Sequence, residues 1–259
     1  MAGREDTVGR AGRHFVQCPH GIRRPATCHD EVRDALVAIL DAALPQAMVV
    51  AERPGIGGHR AIDEWMRDRA RRADGTLRLQ HRPDIVLLGL DGPGTFTIID
   101  VKTFDPAGPT WVERSHTDTT PRAAHVALEH RTLRQYFGPA GTLPDGDPLR
   151  GRLRVCTFAL STFGAFGQPA LDLLRDVGRR SADRLPAALS DDSTWAACEL
   201  GPYARMRLSL ALRRALAHSL SDAACSEAEA HELRHRGAPA YDPRHTLDGE
   251  QGLPAEGAA

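Results

Sequence analysis

Residues 81–102 read H-R-P-D-I-V-L-L-G-L-D-G-P-G-T-F-T-I-I-D-V-K, and the reading of this stretch decides the fold. Ile85–Leu88 is an apolar run entered through Pro83, and 95–102 is β-branched and aromatic, so both predict strands. Asp91-Gly92-Pro93-Gly94 between them predicts a turn. Pairing Leu90 with Thr95 across it brings Asp84 opposite Val101, beside Asp100. Side chains alternate along a strand, so Asp100 and Lys102 share one face, about 7 Å apart, while Ile99 and Val101 take the other. Two carboxylates and an ammonium are thus expected together. Carboxylate oxygens suit a magnesium or manganese ion that keeps several of its waters, and a neighbouring ammonium can orient or help deprotonate one of those waters. That is the chemistry of phosphodiester hydrolysis.

The basic residues strengthen this expectation. Of 33 lysines and arginines, 32 are arginine, and Lys102 is the sole lysine. Arginine is planar and permanently protonated, whereas a lysine amine is a compact and tunable charge. Where bulk positive charge suffices this chain carries arginine, so a lysine two residues after Asp100 marks a position that chemistry selects. The competing interpretation is an ordinary surface ion pair between Asp100 and Lys102 on an edge strand.

A P-D dipeptide, fifteen residues and then D-V-K resembles the signature of PD-(D/E)XK nucleases. The fuller pattern, R-P-D-I followed by a D-x-K strand, is similar to the restriction-like endonuclease domain of non-long-terminal-repeat retrotransposons. The resemblance implies a restriction-endonuclease-like α/β core in α-β-β-β-α-β order, a mixed sheet flanked by helices, with Asp84 and Asp100 holding the metal. It further implies that Lys102 positions the attacking water. In such proteins the helix after the D-x-K strand often carries a lysine and a tyrosine one turn apart. Here Tyr136 matches the tyrosine, but Thr132 stands at the partner position, with Arg131 beside it.

The chain order read from periodicity agrees with that core. A capping box at 27–30 predicts a helix through Leu44, with Val32, Leu36, Ile39, Leu40 and Ala43 as its apolar face. Residues 48–52 predict the first strand. Glu52 at its end is the candidate third acidic group, with Glu31 and Asp34 on the preceding helix as alternatives. Residues 60–73 predict a helical insertion whose arginines could touch phosphate, although Asp63, Glu64 and Asp68 nearly offset them. After the hairpin come a loop at 104–117 and a helix from Thr119 or Thr120 as N-cap, with Pro121 in its first turn, to about Tyr136. The apolar run within 153–161 predicts a buried strand, followed by helices over 170–180 and 203–220.

A length of 259 residues is ample for one domain with extensions. The expected division is a flexible arm over 1–26, the nuclease-like domain over 27–185, a helical extension over 186–235 and a disordered tail over 236–259. Formal net charge is −1, so any affinity for nucleic acid, DNA foremost, must be local. From Ser221 onward eight acidic residues outnumber three arginines, which leaves the remainder net positive. Five scattered cysteines argue against a disulfide framework. No apolar stretch reaches membrane-spanning length and no signal-peptide core is present, so an intracellular protein without a membrane partner is expected. Cys18, His20, Cys28 and His29, with His14 nearby, supply enough atoms for zinc but lack the familiar spacings. The retrotransposon proteins carry a zinc knuckle ahead of the nuclease domain, so a degenerate remnant is implied as an option. The alternative to a nuclease is a catalytically inactive fold of the same type that binds nucleic acid or protein.

Overall fold

The computed structural model describes residues 25–51, 60–70, 83–115, 120, 122–181, 186–190 and 199–235. Helix α1 (Pro25–Ala43) carries Val32, Leu36, Ile39, Leu40 and Ala43 at helical spacing, and all five are buried. It begins at Pro25 and not at the expected capping box, because proline suits a first turn whose N–H groups have no helical partner. Then follow β1 (Met48–Ala51), α2 (Arg60–Ala70), β2 (Ile85–Leu88), β3 (Phe96–Phe104), α3 (Pro109–Ser115) and α4 (Ala123–Phe137). The order closes with β4 (Leu153–Ser161), α5 (Gln168–Arg180), α6 (Ala187–Ser190) and α7 (Leu200–His235).

The strands form one mixed, open sheet in the order β1-β2-β3-β4, with β1, β2 and β3 antiparallel and β4 parallel to β3. Helices cover both faces. Alternation along β3 sends Ile99 and Val101 into a core shared with α1, α5 and α7, whereas Phe96 and Ile98 pack with Ile62 and Trp65 of α2 and Tyr136 of α4. Phe104 continues that second face against Ala124 and Leu128 of α4. Asp100 and Lys102 belong to the second face. Burying Ile98, Ile99 and Val101 completely contributes about 1.5–3 kcal/mol each, enough to offset the cost of carrying a carboxylate into the centre of the sheet.

The hairpin register differs by one residue from that read off the turn. Gly89, at φ 82, leaves the strand in a conformation that favours glycine, and its N–H donates to the Thr95 carbonyl at 3.0 Å, so the loop spans 90–94. Ile85 therefore pairs with Ile99, the last pair of the ladder, and continuing that register by one residue leads from Asp84 to Asp100 rather than to Val101. A shift of one residue exchanges the faces of a strand. Asp84 lies just beyond the end of β2, where its carboxylate bonds to the Val101 N–H and lies close enough for its charge to act on Asp100.

Other boundaries also move. The loop after β3 contains α3, held by Trp111 against Phe104 at 5.4 Å between ring centroids, a tertiary contact that local periodicity does not announce. Helix α4 starts at Ala123 with Arg122 at the N-cap and no side-chain cap, so neither threonine caps it. Helix α7 is longer than expected, and Tyr203, Ala204, Leu208 and Leu212 in its first half pack into the core that contains α1. Glu52, Cys18, His20, most of the N-terminal arm and the whole of 236–259 lie outside the described residues. Among the described residues no helix is long and apolar enough to cross a membrane.

Candidate functional site

The site forms where β2 begins and β3 is at its most buried. Antiparallel pairs alternate between hydrogen-bonded and non-hydrogen-bonded positions. Because Gly89 and Thr95 are bonded, 85/99 is a bonded position and 84/100 is the non-bonded one beyond it, where facing side chains come closest. The next bonded position would fall on Pro83, but β2 has ended. The Asp84 side chain takes over: its Oδ2 accepts the Val101 N–H at 2.6 Å and so caps the ladder with a carboxylate.

Asp84 is also held from α1. His29 Nε2 lies 3.1 Å from Asp84 Oδ2, and its Nδ1 lies 3.1 Å from Asp30 Oδ1, which in turn accepts from Arg33. Burial disfavours the imidazolium, but the hydrogen bonds and charges of Asp84 and Asp30 outweigh it and hold the His29 pKa above its ordinary value. Sequence reading assigned His29 only to a zinc remnant. The signal for its actual place was present, since His29 precedes Val32, Leu36 and Leu40 at helical spacing and thus heads the stripe facing the sheet.

Asp100 is almost wholly buried, and its carboxylate is surrounded by donors. Lys102 Nζ lies 2.7 Å from Oδ2, Thr132 Oγ1 donates to the same oxygen at 3.1 Å, and the Tyr136 hydroxyl donates to Oδ1 at 3.4 Å. Burial raises the Asp100 pKa first and Asp84 raises it further, while Lys102 and Thr132 pull it down without cancelling the rise. The helix after the D-x-K strand thus contributes two donors that orient Asp100, from the very positions, 132 and 136, that the resemblance singled out. Thr157 of β4 pairs in register with Asp100, and its buried Oγ1 has no hydrogen-bond partner among the described residues.

A divalent ion fits this donor set in a limited way. Among the described residues no three His, Cys, Asp or Glu side chains converge on one point. One or two carboxylates with several waters is a magnesium-type donor set. Asp84 Oδ1 makes no hydrogen bond among the described residues, Asp100 is a carboxylate whose burial calls for a positive neighbour, and the orphan Thr157 hydroxyl stands ready for a water. Glu31 and Asp34, the alternatives to Glu52, are exposed on α1, and Asp34 is taken up by Arg33. Cys28 is a half-buried free thiol whose pKa is raised by burial and by Glu31. No protein-family model matches the chain, and no curated protein matches its sequence.

Proposed function

We propose that this chain is a divalent-metal-dependent endonuclease that hydrolyses phosphodiester bonds in DNA, built on a restriction-endonuclease-like PD-(D/E)XK core of the retrotransposon type. The observation that carries the reading is the Asp84 carboxylate bonded to the N–H of the residue after Asp100, with the sole lysine of the chain in contact with Asp100. A magnesium or manganese ion held by the two carboxylates would lower the pKa of a bound water and take up charge on the scissile phosphate. The chain's own residues supply the rest. Val101 N–H and His29 fix Asp84, Thr132 and Tyr136 fix Asp100, and the Lys102 ammonium, partly exposed to solvent, would donate to and orient a water beside Asp100 Oδ2 whose proton leaves to bulk solvent.

One observation favours a second reading. Lys102 is already engaged with Asp100, and among the described residues no third acidic or imidazole ligand joins the two carboxylates, so the same geometry suits an inactive nuclease-like fold that only binds nucleic acid or protein. Incubating the purified chain with circular single- and double-stranded DNA, with magnesium and with chelator, separates the two. The proposal expects magnesium-dependent linearisation that disappears in Asp84→Asn and Asp100→Asn, because an amide cannot replace an anionic ligand of a hard cation. Cleavage that survives in chelator or in either variant sinks the assignment.

A further inference from the structure

Helix α4 has two unlike faces. Its inner face presents Thr132 and Tyr136 to Asp100, while its outer face lines an open groove of about 720 Å3 with Arg114 of α3. Arg122, Val126, His130 and Arg134 follow one another at four-residue spacing along this groove, and Arg131 lies beside them. All five are exposed, and so is Arg114. No carboxylate lines the groove, and among the described residues none of the four arginines is ion-paired. Several surface arginines elsewhere are paired, Arg60 with Glu64, Arg154 and Arg179 with Asp176, Arg175 with Asp172 and Arg180 with Asp91, while Arg205, Arg213 and Arg214, exposed on α7, share the lack of an ion pair among the described residues but lie away from the carboxylate site. In a chain of net charge −1 this concentration of unpaired guanidinium is local. Arg131 also lies over the Trp111 ring, 5.9 Å from its centroid, which pins the α3 side of the groove to α4.

We infer that the α3–α4 groove is a phosphodiester-backbone track that holds nucleic acid alongside the carboxylate site. For its partner the inference rests on the nucleic-acid reading above, but binding in the groove needs neither the metal nor cleavage. Guanidinium groups hydrogen-bond phosphate oxygens in pairs. Arg122 and Arg134 lie about 18 Å apart along the helix, the length of about five phosphates on one strand of a duplex. A helix is about 10–12 Å thick, so a backbone lying on the outer face of α4 passes within a few nucleotides of Asp100 on its inner face. In α2, the helix for which sequence reading suggested phosphate contact, Arg60 is paired with Glu64.

The test is fluorescence anisotropy of labelled single-stranded and duplex oligonucleotides in chelator, for the wild type, Arg122→Ala/Arg134→Ala and Arg122→Lys/Arg134→Lys. The alanine pair is expected to bind at least about tenfold more weakly, equally across sequences. Its plot of log affinity against log salt on duplex should be shallower by about 2, close to one per lost phosphate contact. The lysine pair, which keeps both charges, should bind within a few-fold of wild type. Arg175→Ala/Arg179→Ala on α5, on the other side of the sheet, should leave affinity and slope unchanged. Equal affinity and slope in the alanine pair overturns the track. So does polyglutamate that displaces the labelled strand as well as unlabelled DNA does, because the groove would then be a site for any polyanion, such as an acidic protein. Wild type that binds through the groove yet never cleaves with magnesium refutes the nuclease assignment alone. An alanine pair that binds and cleaves like wild type refutes the track alone.

Discussion

Replacing Asp100 by asparagine should cost the protein its chemistry and leave it as stable as before, or more so. Asp100 is about 2% exposed, and its folded pKa lies above the ordinary aspartate value chiefly because burial penalises the charge. A carboxyl whose pKa is higher folded than unfolded takes up a proton on folding, so its contribution to stability falls as pH rises from about 3.8 through the folded pKa. At neutral pH the ionised group is a liability. The isosteric amide removes that charge and still accepts from Thr132, while partly exposed Lys102 turns to water. Removing one partner of a buried ion pair costs about 3–5 kcal/mol where the other charge stays buried, and replacing the whole pair ranges from no effect to about 1–4 kcal/mol of stabilisation; Lys102 reaches solvent, so Asp100→Asn belongs nearer the second case. A gain of about 1 kcal/mol raises Tm by about 2–4 °C in a chain of this size.

The assay is thermal unfolding of wild type and Asp100→Asn from pH 4 to pH 8, with and without magnesium. The advantage of the variant should be greatest near neutrality and shrink as pH falls and wild-type Asp100 becomes protonated. Magnesium at ten times its Kd stabilises a binding protein by about 1.4 kcal/mol, so wild-type Tm should rise by roughly 3–6 °C and that of the variant should not move. A variant destabilised by 2 kcal/mol or more at neutral pH would make Asp100 and Lys102 a structural pair. Together with a magnesium-insensitive wild type, that result would refute the reasoning.

Lys102→Arg keeps the charge but should reduce cleavage at least about a hundredfold, the cost of a misplaced attacking water, while oligonucleotide affinity at matched salt stays within a few-fold. Cleavage close to wild type would deprive the D-V-K match of mechanistic meaning. Thr132→Val and Tyr136→Phe should each lower stability by about 1–3 kcal/mol in denaturant titration, since both hydroxyls donate to a buried carboxylate, and the double variant should weaken magnesium binding; unchanged unfolding midpoints would remove α4 from the site. His125 has its pKa lowered by burial and by Arg122 against the opposing bond to the Ala165 carbonyl, so its stabilising effect is complete above pH 6.5 and fades as pH falls below it. His125→Gln should therefore show a Tm deficit at pH 8 that narrows toward pH 5, and a deficit that widens with acid would contradict this sign.

How far the sequence revealed this arrangement depended on the range of the forces involved. Strands 85–88 and 153–161, the helix after the hairpin and the apolar stripe of α1 were legible because burial imposes a period on the residues that meet it. The register was not, because Gly89 leaves the strand early and the bond from its N–H to the Thr95 carbonyl decides which residues face one another. Helix α3 was missed because the contacts that hold it, Trp111 on Phe104 and Arg131 over Trp111, join residues that no local pattern connects. His29 was legible in its place on the stripe but not in its role, since its partner Asp84 lies fifty-five residues away.

The positions of Thr132 and Tyr136 bring these threads together. A threonine where a lysine was expected looks, in sequence, like the loss of a functional group. In the fold its hydroxyl donates to Asp100 Oδ2, the oxygen that Lys102 also touches. A lysine at 132 would bring a second ammonium to the same buried carboxylate, where Lys102 already supplies the positive charge, and desolvating that extra charge costs several kcal/mol. A hydroxyl supplies a donor without the charge. With Lys102 on β3 as the single ammonium, threonine at 132 supplies Asp100 with an oriented donor and adds no second charge, so the departure from the pattern of the nucleases this stretch resembles has a physical explanation.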